Sequence, residues 1–102
     1  MKSSDGKRAT VQFSPVHKYE SFKIADDTPC VQAAIRAATA VGVSTRTVIS
    51  NGGLDANWMV RHGVPTVTFG AGQNEPHTVD EWINLDEYDR ACALAVQLAT
   101  TR

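Results

Sequence analysis

Thr45-Arg46-Thr47-Val48-Ile49-Ser50-Asn51-Gly52-Gly53-Leu54-Asp55 decides how the rest of this chain is read. Its first half is short and rich in β-branched residues, which suit a strand. Its second half is a loop with two adjacent glycines, which supply backbone angles other residues avoid. Asp55 stands where a short helix begins, and Gly63 stops that helix after His62. Val64-Pro65-Thr66-Val67-Thr68-Phe69 follows, nearly all apolar or β-branched, as in a strand covered on both faces. Strand, helix, strand is the expectation over residues 45–69.

The flanks extend the alternation. Upstream, Val11, Phe13, Tyr19, Phe22 and Ile24 alternate imperfectly around Ser14-Pro15, which reads as one or two strands bent at the proline. Asp26-Asp27-Thr28-Pro29 then opens a helix. Thr28 is the candidate N-cap, Pro29 suits the first helical position, and the acidic pair favours the positive helix end. Val31, Ala34, Ile35 and Ala38 recur at helical spacing, which predicts a helix over 29–41 with Gly42 as its stop. Downstream, Gly70 to Glu81 is a long loop, and Trp82 to Leu85 is a short extended stretch. Asp86 is expected to cap a last helix whose core face reads Tyr88, Cys92, Ala95, Val96 and Ala99. Trp58 and Trp82 read as core or interface residues.

Strands alternating with helices predict an α/β fold, a layered, mostly parallel sheet with helices on its faces. Ligands of such sheets bind beyond the carboxyl ends of the strands. The loops after Ser50 and after Phe69 both lie at such ends and are expected to face one side.

Composition narrows the class. At 102 residues, 42% hydrophobic and 21% charged, the chain fits one small domain with one core. A net charge of -1 and the lack of a basic block argue against nucleic-acid binding. No apolar run approaches the roughly 20 residues of a membrane helix. Residues 1–8 are polar, which reads as cytoplasmic. Cys30 and Cys92 read as small buried hydrophobes, since their spacing matches no zinc motif.

Two loops carry candidate chemistry. Free N–H groups around Asn51-Gly52-Gly53 can receive a carboxylate or phosphate. The competing reading is a tight turn with Asp55 as a plain helix cap, and Asp55 would repel an anion there. His77 is a candidate metal ligand or general base, against the plainer reading of a solvated loop histidine. Catalytic zinc takes three protein ligands, and Asp55, Glu75, Asp80 and Glu81 are the nearby candidates, with no paired-ligand motif among them. His17 and His62 read as structural. No Gly-x-Ser-x-Gly elbow is present.

Four segments taken in order resemble the C-terminal third of the peptidase T family: 50–57, 62–67, Gly70-Ala71-Gly72, and Pro76-His77-Thr78-Val79-Asp80-Glu81. That family is related to carboxypeptidase G and succinyl-diaminopimelate desuccinylase. The resemblance covers residues 10–100 and includes Tyr19 to Phe22 and the helix before Gly42. It implies a catalytic α/β domain that binds two zinc ions, interrupted by a lid domain that mediates dimerisation. It further implies hydrolysis of peptides by a metal-bridging water that a glutamate activates. Residues 1–24 would end the lid, and residues 25–102 would form the C-terminal part of the catalytic domain.

By the same resemblance His77 matches a metal ligand. Asn51, Gly52, Gly53 and Asp55 match a loop lining the substrate cleft, and Gly70 and Gly72 a turn that brings backbone close to it. Thr78 and Glu81 match positions beside the ligand. The family's His-x-Asp and Glu-Glu motifs, which supply the other ligands and the general base, are missing here. The expectation is therefore an enzyme fragment that is inactive alone and that self-associates or binds an N-terminal half through exposed strand edges. The rival expectation is a non-catalytic α/β binding or interaction module.

Overall fold

The computed structural model describes residues 4–101. In chain order it contains α1 (Pro29–Ala40), α2 (Asp55–Arg61), β1 (Gln73–Asn74), β2 (Trp82–Ile83) and α3 (Leu85–Thr100).

Helix α1 forms as its sequence requires. Pro29 occupies the first turn, where its missing N–H costs nothing. Thr28 is the N-cap residue, but through its backbone: its carbonyl accepts from Gln32 N at 3.0 Å, and its hydroxyl makes no cap bond. Gly42 ends the helix at φ 76, which lets Val43 N reach back to Ala38 O at 2.9 Å. Helix α2 starts one residue earlier than Asp55 as a cap would give. Leu54 is its N-cap residue, and Asp55 lies in the first turn. The side chain that caps here is that of Asn57, whose Oδ1 accepts from Leu54 N at 2.9 Å. Asp86 does not cap α3 either. Asn84 does, accepting from Glu87 N at 3.2 Å, and Asp86 and Glu87 fill the first turn.

The core is a seam between α1 and α3. Ala37, Ala38 and Leu94 form it, with Val41, Val43 and Leu98 packed around them. Ala38 has no exposed surface, so a small side chain marks the closest approach of the two helices. This corrects the face expected for α3. Ala91, Leu94 and Leu98 point inward, whereas Tyr88, Cys92, Ala95, Val96 and Ala99 are exposed. The helix is apolar on two sides, and α1 covers one of them. Both thiols are free, but they are less covered than the small buried hydrophobes expected: Cys30 is half-buried and Cys92 is exposed. Trp58 and Trp82 remain more than half exposed, at 54% and 52%.

The layered parallel sheet is not seen. Among the described residues the one sheet is antiparallel and two-stranded, with Gln73 opposite Ile83 and Asn74 opposite Trp82. Residues 45–50 and 64–69 carry no ladder, and neither does 11–24. A β-branched run becomes a strand only when a neighbour takes its backbone hydrogen bonds. Among the described residues no ladder forms on these runs, and Val48 (66%) and Ile49 (74%) stand in the open.

The consequence shows in the dimensions. The radius of gyration is 20.3 Å, against about 13 Å for a compact domain of this length. The accessible surface is 8901 Å² for 11.0 kDa, and a compact chain of that mass exposes about 5,600 Å². The excess, about 3,300 Å², is roughly four times what one partner contributes to a standard interface.

If Leu94 and not Val96 faces the core, truncating the two should differ. Leu94→Ala is expected to cost about 2–3 kcal/mol, and Val96→Ala to stay within about 0.5 kcal/mol. Urea unfolding followed by helical circular dichroism measures both.

Candidate functional site

The loop that carries His77 is built on a small hairpin. Gly72, at φ 84, accepts two hydrogen bonds on its carbonyl: Asn84 N at 2.8 Å and Asn74 Nδ2 at 3.1 Å. A Cβ on Gly72 would lie 2.7 Å from Asn84 O and 3.0 Å from Glu87 Cβ, so both its angles and its surroundings require glycine. Beyond Gly72 the pairs Gln73–Ile83 and Asn74–Trp82 close the hairpin, and residues 75–81 form its tip. Asn84 serves at both ends of this arrangement. Its N–H closes the hairpin base, and its side chain caps α3. The His77 loop is thus tied to the helix that forms half the core.

Inside the tip, Glu75 has φ 49 and His77 has φ 68. Left-handed backbone costs a non-glycine residue about 1–2 kcal/mol, so something must hold these two. Thr78 Oγ1 donates to Glu75 O at 2.8 Å and accepts from Asp80 N at 3.2 Å. Glu81 Oε2 accepts from His77 N at 3.2 Å, and Glu81 N donates to Thr78 O at 3.4 Å. The His77 imidazole is exposed and makes no hydrogen bond within the described residues. Val79 stands fully exposed beside it.

The second group surrounds the loop at 51–55. Gly52 has φ 144. Tyr19 lies over Gly53, whose hypothetical Cβ would sit 2.6 Å from two ring carbons of the tyrosine. Asn57 Nδ2 donates to Glu20 O at 2.8 Å, and the Arg61 guanidinium pairs with the Glu20 carboxylate at 3.4 Å. The pair is half exposed and contributes modestly, about 0.2–1 kcal/mol. Its role is to bring residues 19–20 onto α2. Trp58 stacks obliquely on His62 at 4.6 Å and lies under Arg61 at 5.5 Å.

Of the expected site residues, Gly72, His77, Thr78 and Glu81 fall in one hairpin. Asn51, Gly52, Gly53 and Asp55 fall beside α2 and Tyr19. Gly70 lies two residues before Gly72, the hairpin base. Among the described residues no hydrogen bond or ion pair joins the two groups. His17 and His62 bond backbone carbonyls, those of Tyr19 and Trp58, as structural histidines do. Sequence reasoning missed Tyr19, Asn57 and Asn84. The spacing Asn84-x-x-Glu87 was a readable cap signal; the Tyr19 and Asn57 contacts are long-range and leave no local mark.

Among the described residues no three His, Cys, Asp or Glu side chains gather closely enough to hold a metal ion. A catalytic zinc takes three protein ligands. The described residues alone therefore do not assemble a site that fits such an ion.

Residues 6–101 match the profile of peptidase family M20/M25/M40. The chain belongs to that family. It is 32% identical over 93 residues to an uncharacterised Bacillus subtilis protein, YqjE, covering 91% of this chain and 24% of that protein. Aminopeptidase PepT from Bacillus cereus is similar in structure, with a TM-score of 0.73 and 39% identity, over 78% of this chain and 21% of that one. The chain thus spans about a quarter or less of the length of these relatives.

Gly72→Ala tests the hairpin base. The loss expected is about 2 kcal/mol or more, from a positive φ and a clash with Asn84 O. It should appear as faster amide exchange at Asn84, while amides of α1 stay protected.

Proposed function

We propose that this chain supplies the C-terminal part of the catalytic unit of a zinc-dependent aminopeptidase or tripeptidase. Residues 25–102 would belong to the catalytic α/β domain and residues 1–24 to the end of its lid. The observation that carries the reading is the combination of M20 membership with a 39% identical structural likeness to an aminopeptidase. His77 would contribute one ligand to a metal site whose other ligands come from outside this chain. Its exposed imidazole, free of internal hydrogen bonds, is suited to that use. Asn51, Gly52, Gly53, Asp55, Gly70 and Gly72 would line the cleft for the peptide substrate.

Segments 45–50 and 64–69 would join a mostly parallel sheet with strands from an N-terminal half, or less completely with a second copy. Their unpaired backbone, the open face of α3 and the excess surface of about 3,300 Å² all call for a cover of that size. A cytoplasmic setting belongs to the same reading and agrees with two free thiols. None of the described helices is long and apolar enough to cross a membrane. In this reading the chain alone does not hydrolyse peptides.

Zinc titration by calorimetry provides the first test. Wild type and His77→Ala should bind zinc equally weakly, because one imidazole holds no catalytic ion. A tight single site lost in the variant would overturn the reading. The second test adds the chain to a polypeptide carrying the remaining three quarters of an M20 relative. Tripeptide hydrolysis should appear with wild type and fall at least about 100-fold with His77→Ala; equal rates would refute the role of His77.

A further inference from the structure

The His77 loop presents an unexplained strain. The two non-glycine residues with positive φ among those described, Glu75 and His77, lie two positions apart in it. Neither is in a helix or a ladder, and both are exposed, so packing does not hold them there. Strain of this kind persists where neighbouring groups over-determine the backbone, and it gathers at functional sites.

We propose that Glu81 is a positioning residue for His77, acting on its backbone and not on its ring. The Glu81 carboxylate takes the His77 N–H at 3.2 Å. Glu81 itself is fixed on both sides: its own N–H donates to Thr78 O, and β2 begins at the next residue. Thr78 does the same for the first strained residue, holding Glu75 O with its hydroxyl while receiving Asp80 N. The two side chains staple the two positive-φ positions in series.

This differs from the usual arrangement, in which a carboxylate takes the second ring N–H of a ligating histidine. Here the carboxylate is occupied with the main chain, and both imidazole nitrogens remain open to groups outside the chain. The direction of the ring is set through φ, and its tautomer is left to whatever binds it. The significance for catalysis rests on the reading of His77 as a site residue. The hold of Glu81 on the His77 N–H does not depend on that reading.

The test uses the full chain labelled with ¹³C and ¹⁵N. Couplings across N, Cα and Hα report the sign of φ at His77, and amide exchange reports its hydrogen bond. Glu81→Gln keeps an acceptor oxygen at the same reach, and Glu81→Ala removes it. Wild type and Glu81→Gln should both show positive φ at His77. Glu81→Ala should lose it, with His77 amide exchange faster by about threefold to tenfold. The Asn84 amide, bonded to Gly72 O, serves as control and should stay equally protected in all three proteins. Retention of positive φ and slow exchange in Glu81→Ala, or failure of Glu81→Gln to preserve them, overturns the proposal. No metal or activity enters this measurement, so its failure is separable from failure of the peptidase reading.

Discussion

The contact on which the rest depends is the seam where α1 meets α3. Ala38 is completely covered there, with Ala37 and Leu94 beside it. Small residues bring the helix axes close, and the aliphatic fringe of Val41, Val43 and Leu98 closes around them. The seam is short, and for a chain of this size it is a small core. It nevertheless fixes the start of α3, and through that start it fixes the hairpin.

The path from core to candidate site can be followed bond by bond. Leu94 holds α3 against α1. Asn84 caps α3 with its side chain and, through its N–H, closes the hairpin on Gly72. Gly72 is compelled to be glycine by its angle and by the approach of Asn84 and Glu87. Two antiparallel pairs then carry the chain to the tip, where Thr78 and Glu81 set the backbone of Glu75 and His77. His77 is therefore exposed without being loosely attached. The loop at 51–55 is held differently, by Tyr19 over Gly53 and by Asn57 and Arg61 on Glu20. The two loops are thus secured separately, one on α3 and one on α2.

Much of this was legible in the sequence, and the failures have physical causes. Helix α1 was readable because Pro29, the spacing of its apolar residues and Gly42 all agree. The stretch at Trp82 was extended as expected. The runs at 45–50 and 64–69 carry strand composition, but pairing is a non-local property, and these segments form no ladder among the described residues. The inward face of α3 was misjudged because Ala91, Ala93, Ala95 and Ala99 blur its periodicity, and a helix apolar on two sides offers two equally good faces. Resemblance placed Thr78 and Glu81 beside His77. It could not show that Glu81 grips the main chain, since nothing in a histidine's sequence context marks a positive φ.

The exposed second face of α3, the unpaired runs and the large surface describe one condition: apolar material left uncovered among the described residues. The most direct measurement is the radius of gyration of the pure, dilute chain by small-angle X-ray scattering coupled to size exclusion. An extended particle near 20.3 Å with a longest dimension near 68 Å is the expected result. A monomer of about 13 Å, the value for a compact domain of this length, would mean that segments 45–50 and 64–69 find their partners within the chain, and would contradict the account.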